Sequence, residues 1–257
     1  MYAEERQRLI VSLAHEHDRV AVAELAGRFG VTTETIRRDL ELLDERGLLQ
    51  RVHGGALPRA TGIFAPELGL VEREAHNIPQ KSAIARRALD YLPAAHGSMI
   101  LDAGTTTGQL AALLPEDAPL PTVITNSVAI AALLSAQDTT DVLMLGGRVR
   151  GLTQSVVGAS AADALGRLRV DIAYLGANGM SAQHGFSTPD LDEAMVKRAM
   201  VSIARRVVAL VDSSKIGTES LHSFARLSDV DVLITDDGIT DAVRAEFTEQ
   251  GVEVVVA

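Results

Sequence analysis

The stretch Leu25-Ala26-Gly27-Arg28-Phe29-Gly30-Val31-Thr32-Thr33-Glu34-Thr35-Ile36-Arg37-Arg38-Asp39-Leu40 decides how the N-terminal part of this chain is read. Leu25, Ala26 and Phe29 recur at helical spacing and stop at Gly30, the residue type that turns a chain at a helix end. A second stripe, Ile36, Leu40 and Leu43, follows and is expected to run to Gly47. Thr32 stands where its hydroxyl can accept an N–H from the first turn of that helix, and the small Ala26 lets the two helices approach. This is the spacing of a helix-turn-helix. With Ile36, Leu40 and Leu43 turned to a core, Thr33, Thr35, Arg37 and Arg38 fall on the exposed side near the helix N-terminus, the part such helices present to base edges. Arginine suits a phosphate or a guanine edge, and threonine a phosphate, a base edge or a thymine methyl. Any small helical domain also carries a capped helix with surface arginines, so the segment taken alone also suits plain packing.

Working outward, Ile10, Leu13, Ala14 and His17 predict a preceding helix. Downstream, Leu48 to Val52 and Ala56 to Pro58 flank His53-Gly54-Gly55, as two short strands around a glycine turn would. That hairpin reads as a wing. Residues 59–70, with Pro66 and two glycines, show no period and read as a linker between a domain at 1–58 and one at 71–257. From Ser98 onward, strand-length apolar runs alternate with helical stretches. The runs are Ser98 to Leu101, Thr122 to Ile124, Val142 to Leu145, Ile172 to Leu175, Val207 to Val211, Val232 to Thr235 and Val252 to Val256. The helical stretches are Gln109 to Leu114, Val128 to Ala136, Ala159 to Leu168, Leu191 to Arg206 and Ile239 to Gln250. Continuous apolar strands need cover on both sides, so the pattern predicts a mainly parallel α/β sheet with ligands at its carboxyl edge.

At 257 residues, a small module joined to a larger one is the natural count. The apolar runs break long before the roughly 20 residues of a membrane span, and the N-terminus opens on Glu4, Glu5 and Arg6 rather than a secretory signal. A cytoplasmic protein is expected. With no cysteine there is no disulfide, thiolate nucleophile or cysteine-bound zinc. The net charge of −10 is uneven: residues 1–60 carry nine Arg and no Lys against ten Asp plus Glu, leaving fifteen basic against twenty-four acidic residues beyond. A near-neutral module with arginines gathered on one helix can bind DNA while the whole chain stays acidic.

After Ser98 to Leu101 comes Asp102-Ala103-Gly104-Thr105-Thr106-Thr107-Gly108, then a helix. A glycine- and hydroxyl-rich turn at a helix start offers N–H groups, hydroxyls and a favourable dipole to an anion such as phosphate. It has neither the Gly-Lys-Ser/Thr of a nucleotide loop nor the spaced glycines of a dinucleotide turn, so no cofactor is expected, and no metal. The same turn also suits simple strand-to-helix packing. Thr125-Asn126-Ser127, Gly146-Gly147-Arg148 and Gly176-Ala177-Asn178-Gly179 stand at further strand ends and could converge on one small polar ligand. Lys197 follows Asp192-Glu193 on a helix, where spacing alone reads as a solvated ion pair. Lys215, in Asp212-Ser213-Ser214-Lys215 directly after a buried strand, stands where ligand contacts are favoured.

From Glu4 to Leu57 the chain resembles the DeoR family of bacterial regulators. Their Ala-x-x-Phe-x-Val-(Ser/Thr)-x-x-Thr-Ile-Arg-Arg-Asp-Leu helix pair and Gly-Leu-Leu-x-Arg-Val-His-Gly-Gly-Ala wing stand here at Ala26 to Leu40 and Gly47 to Ala56. Thr32 replaces the commoner Ser, and Ala23 stands where a better cap is expected. The family's effector-domain motifs are present as well: Asp-Ala-Gly-Thr-Thr-Thr, Thr-Asn-Ser, Leu-Gly-Gly, Gly-Ala-Asn-Gly, Glu-Ala-x-x-Lys and Asp-Ser-Ser-Lys. The resemblance implies a winged helix-turn-helix with Arg37 and Arg38 on DNA and Arg51 and His53 near its backbone. It also implies a sensor domain of the sugar-phosphate isomerase-like type. Its effector would be a phosphorylated sugar or glycolytic metabolite, met by Asp102, Gly104, Thr105, Thr106, Thr107, Asn126, Ser127, Gly147, Asn178, Gly179, Lys197 and Lys215. Met1 to Gln7 resembles the actinobacterial sugar-utilisation repressors of this family, pointing to fructose phosphates. A double-stranded DNA operator, no membrane and a homodimer or homotetramer complete the expectation, since one helix-turn-helix covers too few base pairs. The competing reading is a sugar-phosphate isomerase-like enzyme. Such isomerases carry Asp and Glu in a Gly-Ala-Asp-Glu turn; Asn178 and Gly179 cannot serve as that base, though Asp102, Asp190, Asp192 and Glu193 remain.

Overall fold

The computed structural model describes residues 3–17, 19–45, 48–58, 67–115, 119–137 and 139–257 and divides into two units, Met1–Pro66 and Glu67–Ala257. The expected stop at Gly47 and residues 59–66 of the expected linker lie outside the described residues; Glu67–Leu70 are built into the second unit, where Leu70 N donates to Leu152 O.

The first unit runs α1 (Ala3–His17), β1 (Val20–Ala21), α2 (Val22–Phe29), α3 (Thr33–Glu45), β2 (Leu49–Val52) and β3 (Gly55–Pro58). Ile10, Leu13, Ala14, Leu25, Ala26, Ile36, Leu40 and Leu43 form one buried cluster, as their periodicity predicts. The α1 stripe ends at Ala14, for His17 is exposed. Gly30 adopts φ +64°, the left-handed conformation that closes α2, and donates its N–H to Ala26 O. Thr32 Oγ1 accepts from Thr35 N at 3.2 Å and so caps α3. Nothing in the side chain of Ala21 caps α2; instead Val22 N donates to Gly54 O in the wing at 2.9 Å. β1, two residues and too short for any alternation to register, joins the wing as a third strand in the order β1-β3-β2. Gly55 allows this crossing, because a Cβ there would lie 2.0 Å from Val20 O.

The second unit opens with α4 (Leu70–Ala75) and α5 (Ile78–Ala88), then β4 (Ser98–Leu101), α6 (Thr105–Ala112), β5 (Thr122–Thr125), α7 (Val128–Leu134) and β6 (Val142–Met144). A hairpin of β7 (Arg148–Arg150) and β8 (Ser155–Val157) leads to α8 (Ala159–Leu165), β9 (Val170–Leu175), β10 (Gly179–Ser181), β11 (Gly185–Thr188) and α9 (Leu191–Ile203). β12 (Ala204–Leu210), β13 (His222–Ala225), β14 (Val232–Thr235), α10 (Asp241–Glu249) and β15 (Glu253–Val256) complete it. Seven strands pair in parallel in the order β15-β14-β12-β9-β4-β5-β6, with β10-β11-β13 as a small antiparallel sheet. Strand neighbours alternate between faces: Met99 and Leu101 pack with residues of α5, α6 and α7, and Ile100 with residues of α8, α9 and α10. From β4 the chain steps to β5 and β6, then returns to the other side of β4 with β9, so the winding reverses between β4 and β9. In such sheets the crevice at that reversal is where ligands bind.

Several expected boundaries shift by a few residues, and two of the shifts bear on the site. α6 begins at Thr105 rather than Gln109, which makes the hydroxyl-rich turn the first turn of the helix itself. α9 stops at Ile203, because Ala204 and Arg206 pair with Val170 and Ile172 and ladder bonds replace helical ones. Among the described residues, no helix is long and apolar enough to cross a membrane.

Candidate functional site

On the first unit, α3 exposes Thr33, Arg37 and Arg38, while Thr35 is half-buried with its hydroxyl 2.9 Å from that of Thr32. The Arg37 and Arg38 side chains are 59% and 76% exposed and lie 3.5 and 3.7 Å from the Glu34 carboxylate, pairs weak enough in water to yield to a phosphate. Arg51, on β2, pairs with Glu41 at 3.1 Å. A cleft of about 280 Å³ between α3 and the wing brings Arg37, Arg51 and His53 together, floored by Val22 and Leu40. The third residue of Arg37-Arg38-Asp39 behaves oppositely. Asp39 is buried, accepting from Arg6 Nε at 2.6 Å, Arg6 Nη2 at 3.2 Å and Gln7 Nε2 at 2.9 Å, and so ties α3 to α1. Sequence reasoning gave Asp39 no role, although its place three residues after Ile36, on the apolar stripe, was the available signal.

In the second unit the loops after β4 and β9 meet at the winding reversal. Asp102 is buried; its Oδ2 accepts from Gly176 N at 3.1 Å and from Lys197 Nζ, which also donates to Gly176 O at 2.9 Å and lies 5.2 Å from the centre of the Phe224 ring. Asp102 Oδ1, equally buried, meets no hydrogen-bond partner among the described residues. Burial pushes the Asp102 carboxyl above its usual range, and Lys197 opposes that shift. Lys197 is therefore not the solvated ion pair its spacing suggests but an interior cation neutralised across the reversal point.

Several residues of the expected set hold the loops. Thr107 Oγ1 lies 2.7 Å from Asp102 O and 2.9 Å from Gly104 O, closing the turn before α6. Asn126 Oδ1 accepts from Ala103 N at 2.8 Å while its Nδ2 donates to Val156 O at 3.3 Å, and Ser127 caps α7 by accepting from Ile130 N at 3.2 Å. Gly179 lies in β10, where a Cβ would stand 2.6 Å from Thr218 O. Gly147 is exposed ahead of β7 at φ +149°. Asn178 donates its N–H to Ser187 O at 3.0 Å and its Nδ2 to Glu67 Oε1 at 3.5 Å. Thr105 and Thr106 differ: they occupy the first turn of α6, where amides have no helical acceptor, and no hydrogen bond within the described residues engages their hydroxyls. Lys215 ends the short turn Ser213–Lys215 after β12, at the same carboxyl edge.

Sequence reasoning missed Arg150. Its guanidinium pairs with Glu67 at 2.6 Å, Asp190 at 3.2 Å and Glu193 at 3.3 Å, and Glu193 also accepts from Thr153, Ser155 and Thr188. Asn77 and Lys81 were missed with α5, whose stripe of Ile84, Ala85 and Ala88 is short and mostly alanine.

Residues 6–59 match the DeoR-like helix-turn-helix domain, and residues 76–237 match the DeoR C-terminal sensor domain. The chain belongs to the DeoR family. It is 39% identical over 256 residues to the HTH-type transcriptional regulator GlpR of Haloferax volcanii, covering 99% of this chain and 98% of that protein. To the HTH-type transcriptional repressor GlcR of Bacillus subtilis it is 33% identical, covering 100% and 97% of the two chains. To the glycerol-3-phosphate regulon repressor of Escherichia coli it is 29% identical, covering 97% of each. Ribose 5-phosphate isomerase A of Neisseria gonorrhoeae is a distant structural likeness, with TM-score 0.39 and 14% identity over 54% of this chain and 53% of that one, so the chain spans about half its length. As a DeoR-family protein this chain is a DNA-binding transcription regulator with a sensor domain, and the isomerase reading gives way to that.

Proposed function

We propose that this regulator is a cytoplasmic repressor of a carbohydrate-utilisation operon, released or engaged by a phosphorylated sugar such as a fructose phosphate. The observation that carries the reading is the first turn of α6, where the amides and the Thr105 and Thr106 hydroxyls stand unengaged at the edge where the sheet winding reverses. In this reading Thr105, Thr106 and Lys215 take the phosphate, with Asp102 and Lys197 beside the sugar. Gly104, Thr107, Asn126, Ser127, Gly147, Asn178 and Gly179 shape the loops around it. One relative, named as a glycerol-3-phosphate regulon repressor, supports an ester rather than a free sugar. Thr33, Thr35, Arg37 and Arg38 would read DNA from α3, with Arg51 and His53 on the neighbouring backbone; a homodimer or homotetramer would present paired recognition helices.

Calorimetry with fructose 1-phosphate, fructose 6-phosphate and fructose tests the sensor. Binding should require the phosphate, and Lys215→Ala should weaken it by roughly tenfold to a hundredfold, the usual worth of a charged hydrogen bond, while operator affinity without effector stays unchanged. Equal affinity for fructose and its esters would overturn the proposal.

A further inference from the structure

α3 carries an exposed acidic side chain among those that face DNA. Glu34, the second residue of the helix, is 62% exposed and stands one turn before Arg37 and Arg38 on the same face, with its carboxylate 3.5 Å from the Arg37 guanidinium and 3.7 Å from that of Arg38. The other acidic residues of α3 hold the unit together or lie away from this turn. Asp39 is buried against Arg6 and Gln7, Glu41 pairs with Arg51, Asp44 accepts from Arg51 N, and Glu45 ends the helix. The helix start is capped without Glu34, by Thr32 and Thr35. Among the described residues the Glu34 carboxylate has those two loose ion pairs and accepts no hydrogen bond.

A carboxylate on this face works against DNA binding: it repels phosphates and draws on the charge of the two arginines that would meet them. Its place in the first turn suits the positive end of the helix, but an acidic side chain on any face of that turn has the same benefit. What this face adds is reach to a base edge, since the N-terminal residues of such a helix are the ones that enter the major groove. There the bases differ in chemistry. Guanine presents two acceptors, thymine an acceptor and a methyl, adenine a donor beside an acceptor, and cytosine a donor alone at N4. An ionised carboxylate only accepts, so cytosine is the base it meets without an opposing lone pair.

We propose that Glu34 sets sequence specificity on α3 by accepting from N4 of a cytosine in the major groove, once Arg37 and Arg38 have turned from it to a guanine edge or a phosphate. The inference rests on α3 being the recognition helix, and adds that selectivity comes from a negative charge. Glu34 lowers affinity for DNA at large and returns it only where cytosine stands.

Selection of duplexes from a pool with a randomised core, by the full chain, tests it. Wild type should enrich a motif with a fixed cytosine. Glu34→Gln, nearly the same in shape, should keep the rest of the motif and move that position to adenine, whose N6 and N7 a glutamine amide meets together. Glu34→Ala should lose preference at that position alone: discrimination against a changed base there, about tenfold to a hundredfold in the wild type, should fall to near one while affinity for unrelated duplex rises. An unchanged motif in the folded Glu34 variants, or a loss spread evenly over all positions as a weakened helix start would give, would overturn the role of Glu34 and leave α3 as the recognition helix. By contrast, no motif enriched by the wild type, or the same motif enriched by the Arg37→Ala, Arg38→Ala variant, would overturn α3 itself as the reader of DNA. If Glu34→Ala fails to fold, Glu34→Gln still decides.

Discussion

Arg37, Arg38 and Asp39 are neighbours in the chain and do three different things. Arg37 faces the wing cleft, Arg38 is the more exposed, and Asp39 turns inward to a bidentate pair with Arg6. Helical geometry is the cause: 100° per residue carries the third side chain onto the stripe of Ile36, Leu40 and Leu43. Removing one partner of a buried pair leaves the other charge stranded, at a cost of about 3–5 kcal/mol. Asp39→Ala should therefore unfold the N-terminal unit in thermal melts and lose operator binding as a consequence. The Arg37→Ala, Arg38→Ala double variant should melt like the wild type and still lose the operator, at about 1–3 kcal/mol for each contact that reads a base. A folded double variant with wild-type gel-shift affinity would refute the assignment of α3. Asp102 and Lys197 teach the same lesson in the sensor unit, where ninety-five positions of sequence separate two side chains that meet in one buried ion pair.

At the scale of elements, the carboxyl edge is assembled from loops that each had a polar signature in the sequence, after β4, β5, β9 and β12. The supports of that edge left weaker traces. β10, β11 and β13 are three or four residues long, too short to stand out from loop, and α5 shows small apolar residues where a longer stripe would have been noticed. Gly179 belongs to this support, for Thr218 O lies where its Cβ would be. Gly179→Ala should push back the loop that carries Lys215 and destabilise the sensor unit by about 1–3 kcal/mol, as overpacking does, seen as a lowered midpoint in urea unfolding with unchanged slope. A variant as stable as the wild type would show that the Thr218 loop yields without cost.

For the whole molecule, the net charge of −10 and the DNA-binding role are compatible because the acidic excess lies beyond residue 60. Affinity for DNA follows the phosphates neutralised locally, so the Arg37→Ala, Arg38→Ala variant should lower the slope of log affinity against log salt by about one for each arginine that met a phosphate. Two-fold assembly should show on the operator as paired footprints about 10 base pairs apart or a multiple of that, with light scattering giving an even number of chains. A monomer on the operator would sink the paired arrangement.

What the sequence determined by itself was periodicity and punctuation: the two helices around Gly30, the wing, the alternation of buried strands with helices, and the polar residues that end those strands. These are local consequences of burying one face of each element, and they survive without knowledge of any partner. Only the tertiary structure decided which of those polar residues meet. That Lys197 neutralises Asp102, that Arg150 gathers Glu67, Asp190 and Glu193, and that Lys81 comes under the charge of Lys215 all depend on the order β15-β14-β12-β9-β4-β5-β6. Strand order is set by long-range packing of whole elements, and buried charges find their partners only once that packing has removed the water that would otherwise have solvated them.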